Sequence, residues 1–287
     1  MCDDAIDLLH AYTQKFMSWY DFSPTELERE YTPASCVEDV QIYLNQYLSA
    51  GTRSRQTFQH EKLTYGQHVD EWLWLAPLTN TKNHEKKLVV FVHGGFWRRL
   101  SADDGTFLTP EFQQLGYDFA SINYSLCPNE PLETLIGQTQ RAIRFLQTTY
   151  NPSNITLIGH SAGAHLIAMA LSNNSTIKFA KAILVSGIYD LEPIVKTSVN
   201  DATQLNADSA KRLSPINLVS QASNTPITVI WGENETDEFK RQSRDFAASW
   251  AQEKTHEQIV ICEISKRNHF DVLYDLPTQG VIGLTNG

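Results

Sequence analysis

The sequence is short of the features that mark several protein classes. Its four cysteines, Cys2, Cys36, Cys127 and Cys262, lie far apart. No C-x-x-C pair and no Cys/His ligand spacing occurs, so neither a zinc site nor a disulfide framework is expected, and reduced thiols are. Positive charge is scarce: 23 Lys and Arg face 33 Asp and Glu, a formal charge of −10. That balance disfavours nucleic acid and anionic membranes, which attract basic proteins. No apolar run approaches the roughly 20 residues needed to cross a bilayer. The opening Met1-Cys2-Asp3-Asp4 is acidic where a secretory signal would be basic. Repeats, low-complexity tracts and linkers are missing too. The expectation is one domain over residues 1–287, working in the cytoplasm without metal or organic cofactor. A homodimer stays open.

What is present suits a large core. Hydrophobic residues make up 41% of the chain, with 6 Trp, 11 Tyr and 13 Phe, more than a disordered chain carries. Residues 1–50 read as a helical segment packing on the rest. Ala5, Leu8, Leu9, Tyr12, Phe16 and Trp19 recur at helical spacing, as do Val40, Ile42, Tyr43, Tyr47 and Leu48 after Pro33. Lys62–Gly66 and Val69–Leu75 suggest an antiparallel hairpin at a sheet edge, and Thr79 to Lys87 a polar turn. Leu88 to Val92 is a continuous apolar run, as in a strand covered on both faces. Strand and helix patterns then alternate: strands at 118–124, 155–158, 182–185, 227–231 and 258–264, helices at 133–150, 162–171 and 237–252. Such a succession predicts an α/β fold with a mostly parallel sheet and helices on both faces. Residues 190–222, polar with two prolines, read as an irregular excursion that could serve as a lid.

The chemistry concentrates around Gly159-His160-Ser161-Ala162-Gly163. A strand, then Gly-x-Ser-x-Gly, then an apolar helix is the nucleophile-elbow pattern, in which a tight turn exposes the serine. The motif alone is moderately specific. A serine nucleophile needs a base, and the base needs an acid to orient it. Both should follow strands downstream, on the same edge of the sheet. Only His256 and His269 follow the elbow helix; His256 precedes the last strand and His269 follows it, so His269 is the candidate base. His160 and His165 read as packing residues beside the turn. The acid lies among Glu233, Glu235, Asp237 and Glu238 after the strand ending at Trp231. Glu235, between strand and helix, is preferred. Asp237 is the alternative, although it or Thr236 could cap the helix, and Asp190 lies after the preceding strand. His93-Gly94-Gly95-Phe96 would place backbone N–H groups of Gly95 and Phe96 with that of Ala162 around an oxyanion. Trp97 could wall an aromatic pocket or join the core.

His93-Gly94-Gly95-Phe96-Trp97 resembles the HGGxW pattern of the kynurenine formamidases (arylformamidases) in the esterase–lipase group of α/β-hydrolases. The resemblance continues through 30–35, 123–128, 159–165, 186–191, 237–243 and 268–271. It implies the α/β-hydrolase fold, an oxyanion loop over Gly94, Gly95 and Phe96, and an acid two residues before Asp237. That residue is Glu235, where the family often has Asp. It further implies hydrolysis of N-formylkynurenine to kynurenine and formate without a cofactor, with Trp97 assigned to substrate binding. A general carboxylesterase acting on short aryl or acyl esters would share every residue named. A hydrolase fold kept as a non-catalytic ligand-binding module is the reading from another class.

Overall fold

The computed structural model describes residues 3–4, 18–78, 86–172, 176–254 and 259–276. Among these, nine strands form one sheet: β1 (Asp3–Asp4), β2 (Glu61–Thr64), β3 (Trp72–Ala76), β4 (Leu88–Val92), β5 (Asp118–Ile122), β6 (Ile155–His160), β7 (Lys181–Val185), β8 (Ile227–Asn234) and β9 (Ile259–Asn268). Their order is β1-β9-β8-β7-β6-β4-β5-β3-β2. The pairings from β5 through β4, β6, β7 and β8 to β9 are parallel. The hairpin β2–β3 joins β5 antiparallel at one edge, and β1 joins β9 antiparallel at the other.

The strand burial explains this arrangement. Every residue of β4, β5 and β6 is buried, so these strands have no solvent face and must be covered on both sides. Alternate side chains feed two apolar layers. Val90, Leu157, Leu184 and Val229 lie in one layer; Val89, Phe91, Ile158, Ile183 and Ile230 lie in the other. The chain winds outward in one direction from β4 to β5, then in the other from β6 to β9. Loops leaving β4 and β6 therefore diverge from neighbouring strands and leave a crevice at their carboxyl ends, where α/β sheets bind ligands.

Five longer helices matter for the site: α1 (Pro24–Glu30), α2 (Val40–Thr57), α3 (Leu132–Leu146), α4 (Ala162–Ser172) and α5 (Asp237–Glu253). Helix α1 starts with Pro24 at its first position behind a Ser23/Glu26 capping box. It docks on α5: Thr236 Oγ1 donates to the Glu30 carbonyl at 2.7 Å, and Tyr31 OH to Glu238 Oε2 at 2.9 Å.

Several elements differ from the sequence expectation. Residues 102–114 form helical turns that no long periodic pattern announced. The 190–222 excursion is a series of short helical turns rather than irregular chain. Its Leu191, Ile194, Val199, Leu205 and Leu213 all enter the core. β8 and β9 run on to Asn234 and Asn268, past the apolar residues that marked them. Glu233 supports this extension by accepting hydrogen bonds from Ser265 Oγ (2.9 Å) and Lys266 N (2.7 Å). Cys36 and Cys127 are free as expected, but Cys262 is disulfide-bonded, which corrects the expectation of reduced thiols throughout. The helical expectation for Ala5 to Phe16, most of the Thr79–Lys87 turn and the placement of His256 lie outside the described residues. No described helix is long and apolar enough to cross a membrane.

Candidate active site

Ser161 stands between β6 and α4 with φ +54°, a left-handed conformation that costs a non-glycine residue free energy. The turn is held on both sides. Ser161 N donates to the Val185 carbonyl at 2.8 Å, and the Ser161 carbonyl accepts from Ala164 N at 3.0 Å. Two glycines allow the close approach the turn needs. A Cβ on Gly159 would lie 2.4 Å from the Gly163 carbonyl oxygen, and one on Gly163 only 2.0 Å from that of Val92.

The loop after β4 curls against this turn. A Cβ on Gly94 would sit 3.0 Å from the Ser161 Cβ, so the loop backbone passes directly beside the serine. Three successive left-handed residues, Gly95 (φ +100°), Phe96 (+50°) and Trp97 (+57°), shape it. His93 anchors its start, stacked on Tyr124 at 4.2 Å. The Tyr124 hydroxyl donates to the His93 carbonyl at 2.8 Å. Burial lowers the His93 imidazole to about 4, so it stays neutral near pH 7. Trp97 does not wall the cavity. Its ring is fully buried and meets His165 edge-on at 5.0 Å. The left-handed run directs consecutive side chains apart, Phe96 into the cavity wall and Trp97 into the core.

The extension of β8 and β9 decides which carboxylate meets the histidine. Asn234 pairs with Asn268 at the end of the ladder, and Glu235 and His269 directly follow the two strands. His269 Nδ1 lies 2.9 Å from Glu235 Oε2. An ionised carboxylate only accepts, so Nδ1 carries the hydrogen in this contact and Nε2 is left free to act as a base. The other oxygen, Oε1, accepts from Ser186 Oγ and Gly232 N, both at 2.6 Å. The sequence reading missed Ser186 as a partner. Its signal was only its place after β7, at the carboxyl edge.

The competing carboxylates lie away from His269. Glu233 is exposed and holds the β9 backbone. Asp237 is exposed in the first turn of α5, whose N-cap is Thr236; that hydroxyl is given to Glu30 instead of the helix. Glu238 is buried against Arg241 at 2.6 Å. Asp190 accepts from Glu192 N at 3.0 Å, and burial raises its carboxyl above the usual range.

His160 is not a second base. Its Nε2 lies 2.8 Å from the His269 carbonyl, and burial, then the neighbouring His269, lowers it to about 3. His165, lowered to about 4 by burial, has Nε2 2.9 Å from the Leu213 carbonyl. Phe239 presses edge-on against the His269 ring at 4.6 Å.

Ser161 and His269 both face a cavity of about 150 Å³. Phe96, Tyr31, Leu44, Tyr47 and Val199 supply much of its apolar wall. Its walls thus come from the Ser161 turn, the loop after β4, the α1–α2 region and the 190–222 excursion. Among the described residues no group of three or more His, Cys, Asp or Glu side chains could hold a metal ion.

The family model described as BD-FAE matches residues 77–250. Kynurenine formamidase of Danio rerio is 31% identical over 281 residues, covering 92% of this chain and 95% of that protein. The Salmo salar kynurenine formamidase is also 31% identical, covering 90% and 93%. The Drosophila melanogaster kynurenine formamidase is 28% identical over 67% of this chain and 68% of its own. A putative thioesterase from Silicibacter sp. TM1040 has a similar structure, with TM-score 0.81, 24% identity, and coverage of 90% of this chain and 98% of that one. The thermostable carboxylesterase EstE1 superposes with TM-score 0.67 at 15% identity, over 93% and 96%. These structural likenesses show the α/β-hydrolase fold. The sequence match, nearly end to end at 31% identity, goes further: the chain belongs to the BD-FAE family and, within it, with the kynurenine formamidases.

Proposed function

We propose that this protein hydrolyses N-formylkynurenine to kynurenine and formate, with Ser161 as nucleophile, His269 as base and Glu235 as the acid that orients it. The observation that carries the reading is the Glu235–His269 contact beside Ser161, in a chain matching kynurenine formamidases over nine-tenths of its length. Ser161 Oγ attacks the formyl carbon while His269 Nε2 takes its proton. The carbonyl oxygen becomes an oxyanion, for which the N–H groups of Gly95, Phe96 and Ala162 are the donors we assign, on the loop led in by Gly94. As the C–N bond breaks, His269 returns the proton to the departing aniline nitrogen. The nitrogen lone pair is shared with the ring, so the amide is more ester-like than an ordinary one. Water, activated by the same histidine, then releases formate from the formyl-serine. In this reading Trp97, buried against His165, does not touch substrate.

A direct comparison of kcat/KM on N-formylkynurenine and p-nitrophenyl acetate tests the reading. Strong formamide turnover is expected; ester turnover without any formamidase activity would replace it with a general carboxylesterase. A Ser161 that fails to label with a fluorophosphonate probe would instead indicate a binding module. For location we propose the cytoplasm, supported by the exposed free Cys36 and opposed by the Cys262 disulfide; cell fractionation decides.

A further inference from the structure

The cavity above Ser161 carries charges that a neutral aryl formamide does not require. Glu28 of α1 and Arg98 of the loop after β4 both line it, with Arg99 beside them. Glu28 and Arg98 grip the same residue of the 190–222 excursion. Ser198 gives its backbone N–H to Glu28 Oε2 at 2.8 Å and its hydroxyl to Oε1. Arg98 donates from a terminal nitrogen to the Ser198 carbonyl at 3.4 Å. Yet among the described residues Glu28 and Arg98 form no ion pair, with each other or with any third side chain. The Arg98 Nε is also buried, with no hydrogen-bond partner among the described residues. A guanidinium offers five donors in a planar fork suited to a carboxylate, and leaving one buried without an acceptor is unfavourable. Among the described residues the cavity wall thus presents Arg98 and Glu28 without a counter-ion, each held by Ser198 near the reactive serine, with the exposed Arg99 beside them.

We propose that Arg98 and Glu28 make this site selective for an aryl formamide carrying a zwitterionic α-amino acid: Arg98 takes the α-carboxylate and Glu28 the α-ammonium. The inference rests on the formamidase reading above and adds the groups that choose the substrate. In an α-amino acid the two charges are separated by a single carbon. They are best met by two protein groups that lie close together without pairing, and Ser198 enforces that arrangement. Holding the amino-acid head at the rim leaves the ring against the apolar wall formed by Phe96 and Tyr31, with the formyl group at Ser161.

Three substrates separate the contributions: N-formylkynurenine, N-formylkynuramine (which lacks only the carboxylate) and 2-formamidoacetophenone (which lacks both charges). Wild-type kcat/KM should fall at least about tenfold from the first to the second, as expected for losing a charge-assisted hydrogen bond, with the change in KM. Arg98→Met should erase that preference, its loss on N-formylkynurenine exceeding its loss on N-formylkynuramine by a similar factor. Arg98→Lys should retain part of the preference, because the charge remains while the fork is lost. Glu28→Gln should narrow the gap between N-formylkynuramine and 2-formamidoacetophenone. If Arg98→Met fails to fold, Arg98→Lys carries the assignment, and a wild-type preference that a folded Arg98 variant leaves intact overturns it. Equal wild-type turnover of N-formylkynurenine and N-formylkynuramine overturns this inference and leaves the formamidase reading standing. Turnover of p-nitrophenyl acetate with none of any formamide overturns both.

Discussion

Glu235 and Asp237 lie two residues apart, yet their surroundings assign them different work. Glu235 is buried, and its carboxylate accepts from Ser186, Gly232 and His269. Asp237 is exposed in the first turn of α5. Glu235→Ala should therefore lower kcat on the order of 10⁴-fold, the usual loss when a triad acid is removed. Asp237→Ala should leave kcat within about twofold and reduce stability by less than about 1 kcal/mol, through the helix dipole. Steady-state kinetics and urea unfolding of both variants check this, and the reverse pattern would reassign the acid. Spacing alone preferred Glu235 to Asp237 only narrowly, because it could not reveal that Glu235 is buried against His269 while Asp237 stays exposed. Trp97 shows the opposite limit. Whether a side chain faces a cavity or the core depends on φ at Phe96 and Trp97, and no residue pattern encodes that reversal.

At the scale of elements, the elbow depends on how closely α4 approaches β4. All eleven residues of α4 are buried, so the helix cannot move off the sheet without opening the core. The Cβ of an alanine at 163 would lie 2.0 Å from the Val92 oxygen and 2.6 Å from the His93 oxygen, both backbone atoms that cannot rotate away. Gly163→Ala should cost about 3 kcal/mol or more, at or beyond the upper end for overpacking. Gly137→Ala is the matched control. It lies within α3, and its added Cβ would meet nothing nearer than Arg141 Nη1 at 3.4 Å. Ala is the better helix former there, so that variant should gain roughly 0.5–1 kcal/mol. Urea midpoints give both numbers, and a Gly163→Ala protein as stable as the parent would refute the close-approach argument. These glycines and the strands they join were legible in the sequence, since apolar runs and Gly-x-Ser-x-Gly are local signals. The far ends of β8 and β9 were not, because a polar ladder carries them beyond the apolar pattern.

For the whole molecule, the sequence showed the chemical edge of the sheet but not the cavity over it. Tyr31, Tyr47 and Val199 approach Ser161 from more than thirty positions away in the chain, and no periodicity marks such contacts. The same closure buries histidines, with a consequence for stability. His93 and His165 are lowered from 6.5 to about 4, and His160 to about 3, burial being the first cause in each. The unfolded chain therefore takes up these protons as pH falls below about 6.5, while the folded protein leaves the rings neutral until near pH 4 or below. Stability from these residues is full above about pH 6.5 and is lost as pH falls from there toward the folded values near 4 and 3. Each histidine contributes a slope of up to about 1.4 kcal/mol per pH unit. Each would remove about 2 kcal/mol by pH 5, so the three together would take about 6 kcal/mol from a typical stability of about 5–15 kcal/mol. Asp104 and Asp190, whose carboxyls burial pushes up, act in the opposite sense but from the carboxylate range. Urea midpoints should thus drop steeply between pH 7 and pH 5. His165→Gln should flatten that slope by about one proton, whatever its effect at pH 7. Midpoints that stay level from pH 7 to pH 5 would mean that these three rings are not held neutral by burial.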